Sequence, residues 1–257
     1  MGKIVAANWK MYKPKSEISA FINTLRESHH RTQLSSLIIF PPLPLLHSAI
    51  AVAKDLPLRF GAQNVHWSDE GAFTGEVSAG MLSDMGFTHV LVGHSERRAL
   101  FHESDEVVNR KVHAVLRAGL RAIVCIGESQ ASRKCNIVEQ ILQSQLGAVL
   151  AGIPIEHLGQ ILIAYEPTWA IGTGEAASPT QILDAHTVIR NSLCARYGAE
   201  TAERMPILYG GSVTKKEAPA ILEFECVGGL LVGRASLDAE SLGAILGCLV
   251  SEAPDEI

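Results

Sequence analysis

The sequence lacks the features that would mark a chain for membranes, metals or nucleic acid. No apolar run approaches the roughly 18 residues that a membrane helix needs. The opening stretch, MGKIVAANWK, has too short an apolar run for a signal segment. Gly2 invites comparison with a myristoylation signal, but position 6 is Ala rather than Ser or Thr. Lys and Arg total 22 against 27 Asp and Glu, a net charge of −5, and no basic stripe occurs. Nucleic acid is therefore not an expected partner. A small anion stays possible, because a few local donors hold one whatever the global sign. The five cysteines form no CxxC pair, and their odd number argues against a disulfide framework. A reducing, cytoplasmic setting is expected. H-E-x-x-H, EF-hand and clustered Cys/His patterns are missing, so no metal is expected. So are the P-loop and the G-x-S-x-G elbow.

What is present is a rhythm. Short apolar, β-branched runs fall at 4–7, 37–40, 58–61, 89–92, 122–126, 161–165, 207–209 and 229–232. They read as continuous apolar segments, as strands buried on both faces do. Helix-period segments lie between them. Ile18, Phe21, Ile22 and Leu25 share one face, and Ile137, Val138, Ile141, Leu142, Leu146 and Val149 repeat the pattern. SPTQ at 178–181 offers an N-cap, a first-turn proline and a capping-box partner. Gly119 and Gly198 suit helix C-termini. Eight strand–helix units predict an all-parallel sheet. A doubly wound dinucleotide fold would want G-x-G-x-x-G after the first strand, where the chain reads AANWKMYK. A closed eight-stranded parallel (β/α)8 barrel, one domain over residues 1–257, fits the count and the length.

Such barrels place their sites at the C-terminal ends of the strands. There the chain has Asn8 and Lys10 after the first run, and His94, Ser95, Glu96 and Arg97 after the fourth. Glu166 follows the sixth, Gly210, Gly211 and Ser212 the seventh, and Gly233 and Arg234 the eighth. Each has a plainer reading. A lone lysine after a strand is usually a solvated charge, and a lone histidine more often packs than reacts. Glu96 and Arg97 are expected as a structural ion pair. Cys125 reads as a packed thiol with no base beside it. What shifts the balance is that a base, an imidazole, a cation and an amide fall at one end of one barrel. The glycines after the last two runs suit a phosphate cradled by backbone N–H groups, although two tight turns would look the same.

NWKM, GAQNV, GAFTGE, GHSERR, VCIGE, AYEPTWAIGTG and YGGSV, in that order from about Lys3 to Leu246, resemble the triosephosphate isomerase family. The resemblance implies a TIM barrel and cofactor-free proton transfer on a phosphorylated three-carbon sugar. It implies Glu166 as base, His94 as a neutral imidazole on the carbonyl oxygen, Lys10 as positive charge and Asn8 as hydrogen-bond donor. Ser95 and Glu96 would support the site. Gly172, Ser212, Gly233 and Arg234 would give N–H groups to phosphate. Residues 167–174 would form a lid, with Pro167 stiffening one hinge and Gly172 and Gly174 freeing the other. A homodimer is implied through the loop 64–79, entering the neighbour around Thr74 near Met11 and Lys10. Within that loop Val65, Trp67 and Phe73 are expected to be exposed apolar groups.

The chain departs from the family's usual pattern at four positions. Tyr12 and Arg234 stand where NWKMN and VGGAS are common, and Cys226 and Gly228 replace a pair of acids. Arg97 and Arg190 would then turn to Glu223 or Glu225. Isomerisation of a four-carbon ketose phosphate would use the same residues. A sugar-phosphate-binding barrel without catalysis would gain little from a buried base. A Schiff-base aldolase would need a lysine within a late strand, and the sixth to eighth runs contain none.

Overall fold

The computed structural model describes residues 2–170 and 176–249. Eight strands carry the fold: β1 (Ile4–Asn8), β2 (Leu37–Phe40), β3 (Arg59–Ala62), β4 (His89–Val92), β5 (Arg121–Ile126), β6 (Ile161–Tyr165), β7 (Ile207–Tyr209) and β8 (Gly229–Val232). The helices are α1 (Ile18–Glu27), α2 (Leu46–Val52), α3 (Ala79–Asp84), α4 (Ser95–Phe101), α5 (Asp105–Arg117), α6 (Gln130–Lys134), α7 (Val138–Val149), α8 (Pro179–Tyr197), α9 (Ala199–Glu203), α10 (Ala218–Leu222) and α11 (Ala239–Leu246). The strands pair in sequence order, all parallel, and β8 closes on β1 with Val5 opposite Leu230. Every strand thus has two partners and no open edge.

Closure explains the unbroken apolar runs. One face of each strand meets the helices. The other meets the barrel axis, where Ile4, Ala6, Ile38, Phe40, Leu91, Ile123, Cys125, Leu162, Ala164, Leu208 and Leu231 form a separate inner cluster. Alternation is invisible in the sequence because both faces are dry.

The expected strands agree with those observed to within one residue at either end. In α1 the expected stripe is buried, and in α7 Leu142, Leu146 and Val149 are. Ile137 instead caps α7 and is exposed, because the helix starts one residue later. Ser178 and Gln181 form the reciprocal capping box. Gly119 and Gly198 follow helix ends with φ of +73° and +80°, where a side chain would be strained. In the loop before α3, Val65 is buried and Trp67 half-buried, stacked on His66 at 4.2 Å and capped by the Arg110 guanidinium at 4.4 Å. Only Phe73, in the exposed tip, keeps the expected exposure.

Two buried imidazoles make stability pH-dependent. Burial is the main reason that His186 in α8 is pushed down to about 4 and His89 in β4 to about 3. An unfolded histidine titrates near 6.5. Below about pH 6.5 the unfolded chain therefore binds protons that the folded chain does not, so stability falls with pH until about 4. Each such group contributes a slope of about 1.4 kcal/mol per pH unit. Urea midpoints measured at pH 7 and pH 5 are expected to show a smaller fall for His186→Gln than for the parent. An equal fall in both would remove His186 from the linkage.

Candidate active site

The inward-facing series of β1 runs Ile4, Ala6, Asn8, and that of β6 runs Leu162, Ala164, Glu166. Pairing continues one step past the regular strands. Glu166 N–H donates to the Ile126 carbonyl and Gly210 N–H to the Tyr165 carbonyl, both at 2.8 Å. Asn8 and Glu166 therefore cap the inner core and face a space, where both are buried. Glycines let the neighbouring strand ends close around Glu166. A Cβ on Gly127 would lie 1.8 Å from the Glu166 carbonyl oxygen, and one on Gly210 would lie 3.0 Å from Glu166 Cγ.

Six of the expected residues meet here. Glu166 Oε2 accepts the Ser95 backbone N–H at 2.8 Å, and Oε1 lies 3.1 Å from His94 Nε2. His94 is the N-cap of α4, and its Nδ1 accepts the Glu96 N–H at 3.2 Å. A ring nitrogen that accepts carries no proton, so Nε2 holds the hydrogen and the ring is neutral. The His94–Glu166 contact is thus a hydrogen bond to a carboxylate rather than an ion pair. Lys10 has left-handed backbone geometry (φ 50°) and its N–H is held by Asn8 Oδ1 at 3.0 Å. Its ammonium pairs with Glu96 Oε1 at 2.5 Å.

Other residues of the site were not singled out from the sequence. Gln63 Nε2 donates to the Lys10 and Phe40 carbonyls at 2.9 and 2.8 Å and so fixes the turn that carries Lys10. Glu128 is fully buried. Its Oε1 accepts from Trp169 Nε1 (2.8 Å), Arg133 Nε (3.0 Å) and the Tyr165 hydroxyl (3.2 Å), and its carbonyl accepts from the Thr168 N–H (3.2 Å) and hydroxyl (3.0 Å). One side chain thereby ties the segment after Glu166 to the end of β5. The one available signal was an acid two residues past a strand, in VCIGE.

Ser212, Gly233 and Arg234 line one cavity of about 730 Å³ together with Asn8, Lys10, His94 and Glu166. The Arg234 side chain is exposed and forms no ion pair among the described residues. Gly172, the remaining expected phosphate donor, lies outside the described residues, as do Ile171 and Gly174. No group of three metal-ligating side chains comes together among the described residues, and no helix is long and apolar enough to cross a membrane.

The family profile described as Triosephosphate isomerase matches residues 3–249. A triosephosphate isomerase of Solibacter usitatus is 42% identical over 243 residues, covering 95% of this chain and 98% of that protein. One of Aquifex aeolicus is 41% identical over 246 residues, covering 96% and 99%. The chain belongs to the triosephosphate isomerase family. The crystal structure of the Bartonella henselae triosephosphate isomerase superposes with a TM-score of 0.85 at 36% identity, over 96% of this chain and 99% of that one. Membership makes the chain an isomerase on a TIM barrel.

Two expectations about the charged side chains are corrected. Glu96 and Arg97 do not pair with each other. Neighbours on a helix point about 100° apart, and each finds its own partner, Lys10 for Glu96 and Glu103 at 2.6 Å for Arg97. Arg190 does not reach Glu223 or Glu225. Its guanidinium donates to the Ala202 carbonyl in α9, the segment that follows α8.

Cys125 faces the axis two residues before Gly127. Burial first, and the Glu166 carboxylate second, push its thiol well above the usual range. Thiolate is the reactive form, so Cys125 should stay inert at pH 8 while the exposed Cys135 reacts. Mass spectrometry after brief exposure to a thiol reagent is expected to find the label on Cys135 and none on Cys125 until urea is added. Native labelling of Cys125 at the rate of Cys135 would contradict this burial.

Proposed function

We propose that the cluster around Glu166 performs the family's reaction, the cofactor-free interconversion of dihydroxyacetone phosphate and D-glyceraldehyde 3-phosphate. The observation that carries this reading is the neutral His94 ring beside the Glu166 carboxylate, in the cavity that Lys10 also lines. The Glu166 carboxylate takes a proton from one of the two carbons beside the oxygens and returns it to the other. His94 Nε2–H donates to the carbonyl oxygen where negative charge develops, gives its proton there and takes the proton of the neighbouring hydroxyl, so that hydroxyl and carbonyl exchange places as the carbon proton moves. Lys10 sets an ammonium near the same charge, and Asn8 adds a neutral donor. Donors aimed at developing charge in a partly dry site are usually the largest single contribution to such a barrier. Ser95 and Glu96 act as positioning residues. The Ser95 N–H steadies the carboxylate, and Glu96 holds Lys10 by its ammonium while its N–H fixes the His94 tautomer.

The phosphate lies against Ser212 and Gly233, with backbone N–H groups as donors. The N–H of Arg234 joins them, and its guanidinium stays in solvent. Gly172 adds a further N–H from the lid. Glu166→Asp withdraws the carboxylate by about one methylene, and a misplacement of about 1 Å can cost on the order of 100-fold. A coupled assay with dihydroxyacetone phosphate is expected to show kcat lowered by about 100-fold or more at an unchanged urea midpoint. Near-normal turnover would remove Glu166 from the chemistry.

The working form is a homodimer. Met11, 93% exposed, and Tyr12, Leu100 and Phe101 stand around a second cavity of about 800 Å³ that shares Lys10, His94 and Glu96 with the first. The exposed tip 71–76 carries Phe73 on a loop long enough to enter such a cavity in a second copy. Exposed apolar groups gathered in this way mark an interface. Sedimentation is expected to give a dimer at micromolar concentration, and Thr74→Glu a monomer of much reduced activity. A fully active parent monomer at that concentration would overturn this arrangement.

A further inference from the structure

The end of the barrel away from Glu166 is lined differently from the rest of its interior. β3, β4 and β5 begin with Arg59, His89 and Arg121. All three face the axis. Two residues further on, on the same faces, are Leu91 and Ile123 of the inner cluster and Gly61, where a Cβ would press on the Phe40 ring at 2.1 Å. In the ladder His89 lies opposite Gly61 on one side and Arg121 on the other, so its ring sits between the two arginine-bearing strands. Elsewhere the first inward positions of the strands are Ile4, Ile38, Leu162, Leu208 and Gly229. None is an acid.

The two arginines lack counterions among the described residues, where neither forms a salt bridge. Arg59 donates one N–H to the Ser35 carbonyl at 2.5 Å, and the Arg121 side chain has no hydrogen-bond partner among them. Both are half-buried. His89 is 1% exposed, with Nδ1 2.7 Å from the Thr88 hydroxyl and Nε2 without a partner. Burial and then the two arginines push the imidazole down to about 3, so it stays neutral near pH 7. Burial and the neighbouring Arg121 also pull Arg59 below its usual range. Two like charges and an unmet polar nitrogen in one mouth are a costly arrangement. A guanidinium carries five N–H donors in a fixed fork that matches the oxygens of phosphate or sulfate.

We propose that this mouth is an anion site, in which a small free oxyanion of the phosphate or sulfate class bridges Arg59 and Arg121 and accepts the Nε2–H of His89. Thr88 then turns its one hydroxyl proton from the Phe60 carbonyl, 3.2 Å away and still held by the Thr88 N–H, to His89 Nδ1, which fixes the tautomer. The site lies at the opposite end of the strands from Glu166, about 20 Å away at roughly 3.3 Å per strand residue. It binds without touching the reacting groups and ties three neighbouring strands together.

Inorganic phosphate is the probe, and the two ends of the barrel are read separately. Equilibrium dialysis of the parent protein is expected to count two phosphates per chain, and Arg121→Leu or Arg59→Leu one. The inhibition constant of phosphate against substrate, which reports the other end, should move less than twofold in either variant. The parent protein alone supplies a second readout should a variant fold poorly. The His89 ring nitrogens, followed by 15N NMR, are expected to show a protonated Nε2 that shifts with phosphate and not with potassium chloride of equal ionic strength. One phosphate per chain in the parent, or a His89 ring indifferent to phosphate, overturns the assignment.

Discussion

A closed parallel barrel leaves every second residue of each strand nowhere to point but the axis, and the rest of the structure depends on that constraint. Along most of the axis the inward positions are filled with Ile, Leu, Ala and Phe. At the upper end the same periodicity delivers Asn8, Gln63 and Glu166, with Gly93, Gly127, Gly210 and Gly233 between them. Gly210 and Gly233 border a cavity without filling it, and the three polar side chains furnish it. Charge at the end of a buried strand is therefore a consequence of register. Glu166 is the inward residue that follows Leu162 and Ala164.

Register alone does not hold a carboxylate still. Glu166 is fixed by the Ser95 N–H and the His94 ring, both supplied by the start of α4. Lys10 is fixed by Asn8, Glu96 and Gln63, from three different strand ends. The segment that leaves Glu166 is held by Glu128 from a fourth. In the proposed reaction, misplacing any of these groups by about 1 Å would lower the rate substantially. That sensitivity gives a buried acid such as Glu128 a role at a site it does not line. Its partners are Trp169, Arg133 and Tyr165 rather than anything in the cavity.

The barrel was legible because its signals are local. Eight apolar runs, separated by helix-period segments, give the strand count directly, and Ser178 with Gln181 marks the start of α8 to the residue. The candidate cluster was legible because GHSERR and AYEP sit where a barrel puts chemistry. Pairing was not legible. Glu96 chose Lys10, 86 residues away, over its chain neighbour Arg97, and Arg97 chose Glu103. Helix geometry already excluded the neighbour, but only the fold names the replacement. Gln63 and Glu128 escaped for a related reason. Each acts through backbone carbonyls or a single buried oxygen, which no spacing in the sequence encodes. Arg59, His89 and Arg121 look like scattered surface charges until the ladder places them on one inward face.

The central claim is that the buried carboxylate of Glu166 carries a proton between two carbons through an enediolate. A proton held on a carboxylate exchanges with solvent, whereas a hydride passing directly between carbons does not. Conversion of unlabelled dihydroxyacetone phosphate in D2O, followed by NMR, tests this most directly. The account predicts deuterium at C2 of the glyceraldehyde 3-phosphate formed in the first turnovers, and loss of both isomerisation and exchange in Glu166→Gln. Product formed at full rate without deuterium at C2 would contradict it.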